Sequence, residues 1–89
     1  MTEMATLLSP ASNYAVVQLP GRKFPGIVVQ GDSAHNLLAQ VSTIKKLASK
    51  YADEDLDAEI ESLRDLLSDV VNHYEMVCSR ERIQLPYSK

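Results

Sequence analysis

The chain has 89 residues, 45% of them hydrophobic and 24% charged: one small domain's worth of folded protein, too apolar for wholesale disorder. At 9.9 kDa its core is thin, so any surface shared with a partner weighs on its stability. No apolar run approaches the roughly 18 residues of a membrane span, the start Met1-Thr2-Glu3-Met4 predicts no secretory leader, and the lone Cys78 supplies neither a disulfide framework nor a Cys/His zinc set. These exclusions predict a cytoplasmic, single-domain chain over 1–89 with no membrane contact and no cofactor.

The net charge of −3 conceals a dipole. Residues 1–52 carry Arg22, Lys23, Lys45, Lys46 and Lys50 against Glu3 and Asp32, a net of +3. Residues 53–69 carry Asp53, Glu54, Asp55, Asp57, Glu59, Glu61, Asp65 and Asp69 against Arg64 alone, a net of −7. An acidic chain argues against nucleic acid as the partner, because duplex binding draws on clustered Lys and Arg.

In chain order, Met4–Leu8 is a candidate edge strand, ended by Ser9-Pro10. Asn13–Leu19 and Gly26–Gln30 are β-rich, and the loop Pro20–Pro25 joins them as an antiparallel hairpin. From Ser33 the period changes to steps of three and four through Ala34, Leu37, Val41, Ile44, Ala48 and Tyr51, a helical seam over 33–51 with Asp32 or Ser33 as its cap. Asp53 caps a second helix over 54–80, whose seam Leu56, Ile60, Leu63, Leu67, Val70, Tyr74 and Val77 keeps a strict heptad. Residues 83–89 read as a tail. The fold class is α+β: an N-terminal β-hairpin, with room for three short strands over 3–31, then an antiparallel helical hairpin.

At ~1.5 Å per residue the helices would measure about 28 and 40 Å, so the first cannot cover the last turns of the second. Val70, Tyr74 and Val77 would then need the sheet or another subunit, which predicts a homo-oligomer, most simply a two-fold dimer.

All three glycines (Gly21, Gly26, Gly31) and two of four prolines (Pro20, Pro25) fall between residues 20 and 31. They frame Arg22, Lys23 and Phe24 at the loop and Gln30, Gly31, Asp32 and Ser33 at the first helix's mouth, where free amides and the helix dipole favour anions. The plainer reading is a turn, a strand-to-helix corner and a helix cap. The run Leu19-Pro20-Gly21-Arg22-Lys23-Phe24-Pro25-Gly26, followed by Gln30-Gly31-Asp32-Ser33 and preceded by Asn13–Val17, resembles the signature of a family of small bacterial proteins, a domain of unknown function. The resemblance spans 13 to about 40, departs from the pattern at Ala34, where Leu is common, and implies no activity.

Catalytic arrangements fare poorly. Asp32, Ser33 and His35 are too close along one helix start to form a nucleophile–base–orienter chain. His73 follows Asp69 by four residues, the spacing of a surface pair rather than a metal site, and Cys78 sits near the seam as a small hydrophobe. The expectation is therefore a protein that is not an enzyme. One reading is a homo-oligomer that senses or sequesters a small anionic, nucleotide-like ligand: Arg22 and Lys23 on phosphate, Phe24 stacked on a base, and the amides of Gly31 to Ser33 completing the site. The alternative is a protein–protein interaction module of the immunity or phage-inhibitor type, whose acidic helix face steers to a basic target. The tip and the helix mouth lie at opposite ends of the second strand, about 16 Å apart at ~3.3 Å per residue.

Overall fold

The computed structural model describes residues 3–89; Met1 and Thr2, which belong to the N-terminal stretch read for a leader, lie outside the described residues. The chain divides into two compact units, 1–30 and 31–89.

The first unit is a three-stranded antiparallel sheet in the order β1 (Thr6–Leu7), β2 (Val16–Gln18), β3 (Gly26–Ile27). Thr6 pairs with Gln18 and Leu7 with Val17 on one edge, Val16 with Ile27 and Val17 with Gly26 on the other. The expected hairpin is present, and the edge strand Met4–Leu8 is real in its centre. All three strands are shorter than their apolar runs, and at β2 one side chain stands in for a ladder partner. The Val16 amide donates to Ser9 Oγ at 2.9 Å, while single bonds from Leu8 to Val16 and from Val28 to Ala15 carry the pairing one step further. Ala15 and Val17 are this unit's buried residues.

The second unit is the helical hairpin, α1 (Gly31–Ala48) and α2 (Glu54–Arg80). Its seam is made of small and branched residues: Val41, Ala48 and Ile60 form the core, Leu67 packs on them, and Ala34, Val71 and Cys78 extend the buried line. Each fully buried aliphatic side chain contributes ~1.5–3 kcal/mol, and small side chains let the helices approach closely. Lys45 pairs with Glu61 across the hairpin, in keeping with its antiparallel register.

Helix α1 starts two residues before the predicted Ser33 and stops three before Tyr51. Gly31 and Asp32 are its first turn, so Asp32 is not a cap outside the helix but accepts from the adjacent Ser33 amide at 2.8 Å. At the other end Ser49 turns its hydroxyl onto the Lys46 carbonyl and the Tyr51 amide bonds Ala48, which tightens and closes the helix. Asp53 caps α2 as expected, in extended geometry, accepting from Leu56 at 3.0 Å.

The end of α2 is a complete Schellman arrangement: the Arg82 amide bonds the Ser79 carbonyl and the Ile83 amide bonds Cys78 at 2.8 Å, with Arg82 at φ 59°. That left-handed position costs an ordinary residue about 1 kcal/mol, which glycine avoids. Arg82→Gly should therefore raise stability by roughly 0.5–1 kcal/mol, read as an upward shift of the denaturation midpoint at unchanged m-value.

Candidate functional site

The loop site begins with a turn. Pro20 supplies the fixed φ of the first central position and Gly21, at φ +76°, the positive φ of the second; the Arg22 amide closes onto the Leu19 carbonyl at 3.3 Å. The Gln18 amide side chain donates to the Arg22 carbonyl at 2.6 Å and to that of Leu19 at 3.3 Å, clamping the turn to the central strand. This fixed frame holds Arg22, Lys23 and Phe24 in solvent. Phe24 is 74% exposed, and Lys23 Nζ stands 5.3 Å from its ring centre. Among the described residues neither Arg22 nor Lys23 meets a carboxylate. Gly26 lies on β3 with open space where a side chain would go, and Gln30 is exposed at the end of the first unit.

The predicted set is thus shared between units: Arg22, Lys23, Phe24 and Gln30 belong to the first, Gly31, Asp32 and Ser33 to the second. At the start of α1, Gly31 is buried for a packing reason. A Cβ built there would overlap the Tyr74 ring, so the glycine makes room for an aromatic of α2. Asp32 is exposed and its carboxylate lies on the Ser33 amide, placing a negative charge where an anion would bind. Ser33 is half-buried.

Other titratable groups have structural duties. The His35 ring stacks on Tyr87 at 3.7 Å with planes 15° apart, and no hydrogen bond joins it to Ser33 among the described residues. His73 is exposed, and Cys78 is a buried free thiol. Asp53, Glu54, Asp55, Asp57, Glu59, Asp65 and Asp69 are exposed; Glu61 is half-buried, and the hydrogen bond from Lys45 holds its carboxyl below the usual range against the opposing effect of burial. Among the described residues no group of His, Cys, Asp or Glu is disposed to hold a metal ion.

Sequence reasoning missed the tail. Beyond Arg82 the chain returns along its own unit: the Tyr87 hydroxyl donates to Glu75 Oε2 at 2.9 Å, Lys89 approaches Glu75 Oε1 at 3.6 Å, and Tyr87 covers His35. The last turns of α2, expected to require a sheet or a subunit, have this third cover. Tyr74 is likewise half-buried against Gly31, and Val77 is half-buried, so of the predicted contact trio only Val70 is exposed. The pattern Leu85-Pro86-Tyr87, apolar and aromatic in an otherwise polar tail, was the available signal.

Two outcomes follow from these contacts. Gly31→Ala should lower stability by about 1–3 kcal/mol through overpacking, and a Tyr74→Leu background should shrink that loss, which a double-mutant cycle reads directly. Burial, and then the bond to Glu75, push the Tyr87 hydroxyl up to about 12. Because the folded value lies above the unfolded one near 10, this contribution is intact below pH ~10 and is lost as pH rises toward ~12. Tyr87→Phe should remove that alkaline loss, seen as a shallower fall of the denaturation midpoint over this range than in wild type.

A comparison with functionally curated proteins and one with solved structures each returned no match. No helix among the described residues is long and apolar enough to cross a membrane. The match that exists is to a family model covering residues 1–87, far more of the chain than the glycine–proline run alone, and on it this chain belongs to the family of unknown function DUF6959.

Proposed function

We propose that the protein is a cytoplasmic, non-enzymatic interaction module that works as a homo-oligomer and engages a protein target through the acidic outer row of α2. One observation carries this reading: the chain's surplus binding chemistry lies on exposed surface outside the grooves described for the helical hairpin. Phe24 is 74% exposed at its turn, Glu54, Asp65 and Asp69 are exposed on α2, and three grooves of the helical hairpin are lined by other residues. A small molecule is held by concave enclosure that removes most of its surface from water. A protein target needs no such enclosure, and an acidic row accelerates its encounter with a basic surface.

A second reading keeps the anionic, nucleotide-like ligand. What favours it is the pair Arg22 and Lys23, without carboxylate partners among the described residues, beside Phe24 on a turn that the family signature Leu19–Gly26 builds. In this reading the loop residues carry the contact, since Gly31 is packed on Tyr74 and Asp32 is itself an acid.

The two separate by charge reversal. Affinity capture with wild type should retain a target that elutes as salt rises, and Glu54→Lys with Asp65→Lys and Asp69→Lys should lose it. Equal capture by both proteins overturns the interaction reading. Calorimetric binding of a mono- or cyclic nucleotide that falls ten- to a hundredfold in Arg22→Ala, the loss of a contact of ~1.5–3 kcal/mol, establishes the ligand reading instead.

A further inference from the structure

The helical hairpin has two unlike faces. One carries the Lys45–Glu61 pair and the half-buried Arg64, Ser68 and Glu75, with the tail at its end. The other is apolar and open. On α1 it consists of Leu37, Ile44 and Leu47, continued by Tyr51 in the turn just beyond the helix; their exposures run from 43% to 60%. On α2 it consists of Leu56, Leu63 and Val70, seven apart, with Leu66, at 39% to 60%. The two rows share one face, since Ile44, Leu47, Tyr51 and Leu56 line a single groove over Ala48 and Ile60.

The heptads of both helices therefore serve two neighbours. In α1 the row Ala34, Val41, Ala48 turns to α2, and the row three residues on stays open; in α2 the row Ile60, Leu67 turns to α1, and the row four residues earlier stays open. A helix with both rows occupied is a member of a four-helix bundle, of which this hairpin is half.

We propose that this face receives a second copy of the chain, related by a two-fold axis parallel to the helices, so that α1 of each copy lies antiparallel on α2 of the other. The inference rests on the homo-oligomeric part of the reading above and names its surface and symmetry. Area supports it: covering eight apolar side chains of these exposures removes roughly 800 Å² per copy, the share each partner gives to a standard stable interface. Charge decides the symmetry. Lys45 pairs with Glu61 and Gly31 packs on Tyr74, so facing residues of the hairpin have numbers adding to 105 or 106. Carried past the end of α1 into the connection, that register sets Lys50 level with Asp55 at the start of α2 and one turn from Glu59. Lys50 lines the end of the groove beside Tyr51, just past α1, and Glu59 lines its continuation on α2 beside Leu63 and Leu66. With the axis parallel to the helices, the rim bearing Lys50 meets the rim bearing Asp55 and Glu59, at both edges of the interface. Burying one rim on its opposite makes the face self-complementary.

Sedimentation of the full-length chain tests this. Wild type should run at twice 9.9 kDa at micromolar concentration, and Leu63→Asp or Leu66→Glu should raise the dissociation constant roughly a hundredfold or more with helical circular dichroism retained. Lys50→Glu alone and Asp55→Lys with Glu59→Lys should each weaken the dimer, and mixing the two variants should restore it as a heterodimer. A wild-type monomer at 100 µM or so, a dimer indifferent to Leu63→Asp and Leu66→Glu, or loss of helicity in both variants overturns the proposal. A monomer that still captures its target through Glu54, Asp65 and Asp69 overturns this face alone and leaves the target reading standing.

Discussion

The second unit depends on how closely two helices can lie. Gly31, Ala34 and Ala48 give α1 a side with almost no side-chain bulk, and Tyr74 and Ile60 of α2 occupy the space. Close approach multiplies dispersion contacts that are individually ~0.1–0.2 kcal/mol, which a thin core needs. It also fixes the register, from the Tyr74 ring on Gly31 at one end to the Lys45–Glu61 pair at the other. Once those ends are pinned, which residues face inward and which stay in water is settled for both helices.

Electrostatics acts along the same axis. The acids of the first turn of α2 sit at the positive end of its dipole, and Lys45 and Lys46 at the negative end of α1, so each helix is stabilised by its own charges. Because the helices are antiparallel, those ends are neighbours, and the sequence dipole of +3 and −7 becomes a local pairing rather than a separation across the molecule. Among the described residues only Glu61 joins an ion pair with the first helix; the remaining acids of 53–69 stay in solvent.

The sheet unit holds an exposed loop on rigid parts. Pro20 and Gly21 spend their special backbone on one turn, Gln18 ties that turn to the central strand, and three adjacent side chains are left with no internal task. The glycine–proline cluster thus divides by purpose. Gly21 serves a backbone conformation, and Gly31 serves helix packing, fourteen residues along α1 from Lys45 of the ion pair.

Much of this was legible in the residues. β-rich runs before residue 30 and steps of three and four after it separate strands from helices, Asp53 announces its cap, and Pro-Gly marks the turn, because each depends on backbone sterics and hydrogen bonds within a few residues. The heptad of α2 was legible too, but not its meaning: Leu63 and Leu67 are equivalent in the sequence pattern, and only the helix crossing makes Leu67 core and Leu63 surface. The same holds for Gly31, whose partner Tyr74 is 43 residues away, and for Tyr87, which reaches back to His35 and Glu75. Local chemistry determines elements, whereas contacts between distant residues are chosen by packing the whole chain at once, and that choice is what tertiary structure alone decided here.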